Sequence, residues 1–122
     1  MQRIVISENV EGSQVEDLRR QFDVVFDPDL WKSPAKLREA VREADALMVR
    51  NQTAVDAALI AAGRRLAVIG RLGVGLDNVD CDAASAAGVV VAYAPEQNSI
   101  SVAELALGMM LSLSRMLPAA DR

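Results

Sequence analysis

Short apolar runs alternate with amphipathic stretches along most of this chain. The apolar runs predict five β-strands, at residues 3–7, 23–26, 46–49, 66–69 and 89–92. The stretches between them predict helices at residues 13–21, 34–43, 56–62 and 81–87. Strands that alternate with helices of about ten residues form parallel βαβ units. The pattern therefore predicts a doubly wound α/β fold, in which helices flank one parallel sheet.

Residues at the helix ends support these boundaries. Ser13, with Glu16 three residues later, has the pattern of a capping box. Pro34 suits the first turn of the second helix, because proline lacks the N–H that is unused there. Gly63 and Gly88 follow the next two helices, where a glycine in the left-handed conformation commonly ends a helix.

The last predicted helix, from Ser101 to about Leu117, is apolar on nearly all sides. Ser101 and Glu104 form a second capping box, and Pro118 ends the helix. Only Glu104 and Arg115 carry charge before that proline. Such a helix is buried on more than one side, whereas a five-stranded domain of this size covers only one. We therefore expect a second copy or a further domain to cover the rest, and we expect the chain to be incomplete.

Composition limits what the chain can bind. It has 122 residues, a net charge of −4 and a pI near 4.8, and its basic residues are scattered. An acidic surface argues against a nucleic-acid or anionic-membrane partner. No uncharged apolar stretch of about 20 residues is present, so no transmembrane helix is expected. The first residues form a predicted strand and do not have the pattern of a signal peptide. We therefore expect one compact cytoplasmic domain.

The chain has no histidine and a single cysteine, Cys81. A Ser-His-Asp triad, a Cys-His pair and a His-based zinc site are therefore excluded, and we expect no metal site. Cys81 lies between Asp80 and Asp82, a setting that does not favour a reactive thiolate. We expect this cysteine to be structural, and no catalytic residue is predicted within the chain.

Candidate binding residues follow the predicted strands, because open α/β sheets bind ligands outside the carboxyl ends of their strands. Arg50, Arg71 and the glycine-rich run 72–75 follow the third and fourth strands, and Asn98 comes after the fifth. Glycines let backbone N–H groups face an anion, and a guanidinium matches a carboxylate, phosphate or sulfonate. We expect a small acid with one or two anionic groups here, with no opposing carboxylate apparent. Alternatively, both arginines are solvated strand-end charges and the glycines are turn residues.

A dinucleotide site is a further alternative, because Gly73 and Gly75 follow a strand and precede a helix. The third glycine of the usual motif is replaced by Asn78, which we expect to be a turn or cap residue. Asp80 and Asp82 lie at the helix start that a pyrophosphate would need. We therefore do not expect this chain to bind a dinucleotide tightly by itself.

Several runs closely resemble the D-isomer-specific 2-hydroxyacid dehydrogenase family, and its 3-phosphoglycerate and sulfolactate dehydrogenase types in particular. They are IGRLGVGLDNVD at 69–80, GVVV at 88–91, AP at 94–95 and NSISVAE at 98–104. The resemblance covers essentially the whole chain. It implies a flavodoxin-like substrate-binding domain over residues 1–98 and a helix within 99–122 that joins domains and forms a homodimer. We expect the Rossmann domain that follows in the family to be absent from this chain.

The resemblance also implies roles for individual residues. Those implied in substrate binding are Arg50, Arg71, Leu72, Gly73, Val74, Gly75 and Asn98. Backbone N–H groups of the run 72–75 would bind the substrate carboxylate, and the arginines would reach a second anionic group. Val74 and Val102 would border the nicotinamide of NAD or NADP. An Arg, a Glu and a His of the later domain would transfer hydride, so the chain alone is expected to be inactive.

Two functions follow as hypotheses. In the first, the chain is the N-terminal substrate-binding portion of an NAD- or NADP-dependent enzyme that interconverts a D-2-hydroxy acid and its 2-oxo acid. Arg50 and Arg71 together favour an acid with two anionic groups. In the second, the chain is a non-catalytic module for anion binding or dimerisation.

Overall fold

The computed structural model describes residues 2–9, 16, 18–72 and 75–94. Within these residues, five parallel strands form one sheet in the order β2-β1-β3-β4-β5. The strands are β1 Arg3–Ile6, β2 Asp23–Phe26, β3 Ala46–Val49, β4 Val68–Leu72 and β5 Val90–Ala94. This order is that of flavodoxin-like sheets and reverses direction between β1 and β3. The predicted parallel α/β sheet is confirmed.

Helices connect the described strands. They are a 3₁₀ turn Leu30–Lys32, α1 Pro34–Val41, α2 Ala57–Ala62 and α3 Cys81–Ala86. These α-helices agree with the predicted ones to within two residues at each end. Glu16, Leu18 and Arg19 are also helical, between β1 and β2. The rest of the predicted first helix and the whole predicted helix 101–117 lie outside the described residues.

An apolar layer covers each face of the sheet. One layer joins Val5, Leu47, Val49 and Ile69 to the helix residues Leu37, Val41, Leu59 and Ile60. The other joins Ile4, Ile6, Met48 and Val68 to Leu18 and Phe22. Successive strand residues point to opposite faces, so strands that are apolar at every position are buried on both sides. In the part of the chain that the structure describes, no helix is long and apolar enough to span a membrane.

Strand β4 lies two residues later than predicted. The apolar run 66–69 was expected to form it, but the strand is Val68–Leu72 and so includes Gly70 and Arg71. Pairing with β5 continues over all five residues, which keeps the glycine and the arginine in the ladder. Leu66 instead packs into the core after α2. This shift moves Arg71 from a loop into the sheet.

Glycines end α2 and α3 for different physical reasons. Gly88 has φ +74, and the N–H of Val89 donates to Ala84 O at 2.8 Å, as in a Schellman motif. Gly63 also ends its helix as predicted, but with φ −87, which is outside the left-handed region. A side chain is excluded at Gly63 because its Cβ would lie 2.9 Å from Leu66 Cβ.

Candidate anion-binding site

A cleft opens at the carboxyl edge of the sheet, between the loops that follow β1, β2 and β3. Its volume is about 340 Å³, and the residues that line it include Glu8, Asn9, Trp31, Lys32, Arg50 and Gln52. The sheet order reverses between β1 and β3, and open α/β sheets bind ligands at such a point. The candidate site therefore lies where the fold brings the loops after these three strands together.

Arg50 follows β3 directly and is half-buried beside this cleft. Its guanidinium Nη1 donates to Asn9 O at 3.2 Å, and its backbone N–H donates to Glu8 Oε2 at 2.7 Å. Arg50 thus lies at the sheet edge where the strand-end rule placed it. Its contact with a ligand stays a prediction.

Arg71 has a different environment. It is 7% exposed, so the alternative that it is a solvated strand-end charge is wrong. Its Nε donates to Asn78 Oδ1 at 3.1 Å and its Nη1 to Leu72 O at 3.2 Å, both neutral acceptors. No carboxylate of the described residues forms an ion pair with it. A buried cation without a counter-charge is costly, which makes this position suited to an anion.

Glu8 is a buried residue of the candidate site that sequence reasoning missed. It is 3% exposed and follows β1 at the same edge, so a carboxylate that was not apparent from the sequence lies beside Arg50. Its Oε2 accepts from the N–H of Arg50 at 2.7 Å, the N–H of Thr53 at 2.9 Å and Thr53 Oγ1 at 2.6 Å. Its Oε1 accepts from the N–H of Gln52 at 3.0 Å. The strand-end rule, applied to β1 as well, would have identified it.

Buried hydroxyl groups extend this network toward the core. Ser7 and Thr53 are both fully buried, and their Oγ and Oγ1 atoms lie 2.8 Å apart. Because the Thr53 hydroxyl donates its hydrogen to Glu8, Ser7 is the donor in that pair. The loop of residues 50–53 is therefore anchored to the end of β1 by side chains as well as backbone.

Asn78 connects this loop to Arg71. Its Nδ2 donates to Arg50 O at 2.7 Å and to Thr53 O at 2.8 Å, while its Oδ1 accepts from Arg71 Nε. Asn78 lies in a turn, which agrees with the prediction of a turn or cap residue, and the cap of α3 is Asp80. An amide supplies both donors and an acceptor, so one side chain can join two loops.

The remaining predicted site residues are only partly described. Those outside the described residues are Gly73, Val74, Asn98 and Val102. Leu72 is the last residue of β4, and its buried side chain packs in the second apolar layer. Gly75 is partly buried near Asp77. Their roles in binding substrate or cofactor stay predictions.

The start of α3 does not fit a dinucleotide. Asp80 accepts there from the N–H of Ala83 at 3.0 Å, and Asp82 adds a second carboxylate in the first turn. The negative charge and the occupied donor oppose a pyrophosphate at this six-residue helix. Among the residues that the structure describes, no group of three Asp, Glu, Cys or His side chains could hold a metal ion.

Comparison with known proteins identifies the family to which this arrangement belongs. Residues 4–118 match the family model described as D-isomer specific 2-hydroxyacid dehydrogenase, catalytic domain. The D-3-phosphoglycerate dehydrogenase of Mycobacterium tuberculosis is 48% identical over 120 residues, which are 97% of this chain and 22% of that protein. The (S)-sulfolactate dehydrogenase of Chromohalobacter salexigens is 41% identical over 115 residues, which are 94% of this chain and 37% of that protein.

A solved structure agrees with this result. The NAD+-bound 3-phosphoglycerate dehydrogenase of Entamoeba histolytica superimposes with a TM-score of 0.69 and 31% sequence identity, over 89% of this chain and 38% of that one. The chain thus spans less than two fifths of the length of each of these three proteins. It belongs to the D-isomer specific 2-hydroxyacid dehydrogenase family.

Proposed function

We propose that this chain binds the acid substrate in a nicotinamide-dependent dehydrogenase that interconverts a D-2-hydroxy acid and its 2-oxo acid. Its family membership supports the reaction class. The names of two relatives specify 3-phosphoglycerate and sulfolactate as their substrates. Both of those molecules carry a carboxylate and a second anionic group, which agrees with a site that offers two arginines.

The observation that carries this proposal is the burial of Arg71 without a described counter-charge. Arg71 is 7% exposed, and its hydrogen bonds to described residues are all to neutral oxygens, so its guanidinium has lost most of its hydration. Donors left over in such a setting bind a carboxylate, phosphate or sulfonate strongly, because the surroundings screen the charge weakly. An anionic substrate group would supply the missing counter-charge.

Arg50 provides the second point of attachment. Asn78 bonds to Arg50 O and to Arg71 Nε, so the two arginines are linked by a single side chain. Arg50 and Arg71 would bind one anionic group of the substrate, and backbone N–H groups of residues 72–75 would bind its carboxylate. This division favours an acid with two anionic groups over a simple monocarboxylate.

The redox chemistry requires groups beyond those described. NAD or NADP would accept the hydride, with Val74 and Val102 beside the nicotinamide. The chain contains no histidine, so the proton-transfer group would come from another part of the enzyme. We assign the helix predicted at residues 101–117 to the contact between domains and between two copies in a cytoplasmic homodimer.

A chimeric enzyme tests this function. This chain replaces the matching 120-residue segment of the M. tuberculosis relative, and oxidation of D-3-phosphoglycerate is assayed with NAD+ and with NADP+. We expect substrate-dependent formation of reduced cofactor. Arg71→Met in the chimera should lower kcat/KM by about 100-fold, because hydrogen bonds to charged groups contribute about 1.5–3 kcal/mol each.

The matched control is Arg64→Met, which removes an exposed arginine between α2 and the start of β4. It should leave kcat/KM unchanged. A chimera that has the circular dichroism spectrum of the parent but no activity would contradict the proposal. Equal activity of the Arg71→Met and Arg64→Met chimeras would contradict the assignment of Arg71.

A further inference from the structure

We propose that Glu8 is a positioning residue, whose buried carboxylate fixes the loop of residues 50–53 and thereby holds Arg50 ready for the substrate. The inference rests on the proposed function, in which Arg50 contacts an anionic group of the acid. Nothing in the reaction requires Glu8 to touch the substrate. Its effect would pass entirely through the loop.

Three backbone N–H groups of the loop converge on the Glu8 carboxylate. The donors are Arg50, Gln52 and Thr53, at 2.7, 3.0 and 2.9 Å from its oxygens, and Thr53 Oγ1 adds a fourth bond at 2.6 Å. Loops with converging N–H groups form concave sites for anions. Here the protein's own carboxylate fills that concavity, so an external anion is directed to the guanidinium instead.

Asn9, which follows Glu8 in the chain, restrains the side chain of Arg50. Asn9 O accepts from Arg50 Nη1 at 3.2 Å, while Glu8 binds the backbone N–H of the same arginine. Residues 8 and 9 together restrain both the backbone and the side chain of Arg50. Binding then costs less conformational entropy, because a long flexible side chain is ordered before the ligand arrives.

The opposite side of the loop is restrained independently of Glu8. Asn78 Nδ2 binds Arg50 O and Thr53 O, and the N–H of Val55 donates to Asn78 O at 2.8 Å. A change at Glu8 therefore loosens the loop without removing its second anchor. This makes Glu8→Gln a variant that can fold and still report on positioning.

The first test needs no ligand. Glu8→Gln keeps the volume of the side chain, but its NH2 group faces a backbone N–H of the loop where an acceptor is required. Hydrogen exchange of the Arg50 and Thr53 amides should be at least about tenfold faster, whereas exchange at Leu47 in β3 stays unchanged. Unchanged exchange at Arg50, or equal acceleration in the loop and in β3, would overturn the proposal.

The matched control for this test is Glu39→Gln. Glu39 lies on α1, its side chain is 74% exposed, and its ion-pair partner among the described residues is Arg42, three positions later. The same loss of charge at this position should leave exchange in the loop as it is. A control that accelerates loop exchange as much as Glu8→Gln would show a general charge effect and overturn the assignment.

The second test measures binding of D-3-phosphoglycerate to the 122-residue chain by NMR titration. The proteins are the unmodified chain, Glu8→Gln, Arg50→Gln and the double variant. Glu8→Gln should raise Kd by about five- to tenfold in the unmodified background and by less than about twofold when Arg50 is already absent. Such coupling identifies an effect that passes through Arg50.

The outcomes separate the two proposals. If Arg50→Gln binds D-3-phosphoglycerate as tightly as the unmodified chain does, Arg50 does not bind the substrate. That result would overturn the substrate role of Arg50 and, with it, the positioning role of Glu8. If Arg50→Gln weakens binding and Glu8→Gln does not, the role of Glu8 alone is overturned. An equal weakening by Glu8→Gln in both backgrounds would mean that Glu8 supports only the fold, which also overturns its positioning role.

Discussion

Arg71 is buried and positively charged, and its described hydrogen-bond partners are neutral. Such a residue stabilises a fold only if its N–H donors are well placed on their acceptors. Its Nε bond to Asn78 and its Nη1 bond to Leu72 O use its planar fork in two directions. A lysine ammonium has the same charge but a single nitrogen at the end of a flexible stem. The shape of the guanidinium therefore contributes to the stability of the fold here, in addition to its charge.

Replacement of Arg71 by lysine tests that point. Arg71→Lys should lower the free energy of unfolding by about 1–3 kcal/mol, because it leaves the partly buried Asn78 Oδ1 without its donor. Urea denaturation measures the change. The control Arg64→Lys, at an exposed position, should change it by less than about 0.5 kcal/mol. Equal stability of the two variants would contradict the geometry described for Arg71.

The positions and roles of single residues could be predicted from the sequence only where their contacts are local. Arg50 follows its strand directly, so the strand-end rule placed it at the correct edge. Glu8 follows β1 in the same way and could have been included. The role of Asn78 rests on its bond to Arg50 O, a contact across 28 positions of sequence. No local pattern reports such a contact.

Helix ends in this protein follow from their capping residues. Asp56 and Asp80 each accept a backbone N–H three residues later, at 2.9 and 3.0 Å; Asp56 is the predicted first residue of its helix, and Asp80 directly precedes the predicted start of the other. The end of β4 could not be predicted in this way. Gly70 and Arg71 interrupt the apolar run, yet pairing with β3 and β5 on either side holds them in the strand.

The end of α3 supports a quantitative prediction. Gly88 has φ +74, and a Cβ there would meet no heavy atom within 4 Å, so any cost of a side chain is conformational. Gly88→Ala should destabilise the protein by about 1 kcal/mol, and Gly88→Asn by less, because asparagine tolerates this conformation better. Urea midpoints of the two variants measure the difference. An alanine variant as stable as the parent would be inconsistent with a left-handed cap.

The sheet as a whole brings the site together. The alternation of strands and helices was sufficient to predict parallel βαβ units, but the strand order depends on long-range pairing that local patterns do not encode. The observed order places β1 beside β3 and β3 beside β4. The ends that carry Glu8, Arg50 and Arg71 are therefore neighbours, although 63 positions separate the first of them from the last.

Recognition of an acid with two anionic groups by these neighbouring strand ends is the central claim. An NMR titration of the ¹⁵N-labelled chain with D-3-phosphoglycerate, compared with D-glycerate, tests it most directly, because the two acids differ only in the phosphate. We expect saturable shifts at residues 50–53 and 71–78 and at the arginine Nε–H groups, with clearly weaker binding of D-glycerate. Equal binding of both acids, shifts elsewhere in the sheet, or no shifts at tens of millimolar ligand would contradict the account.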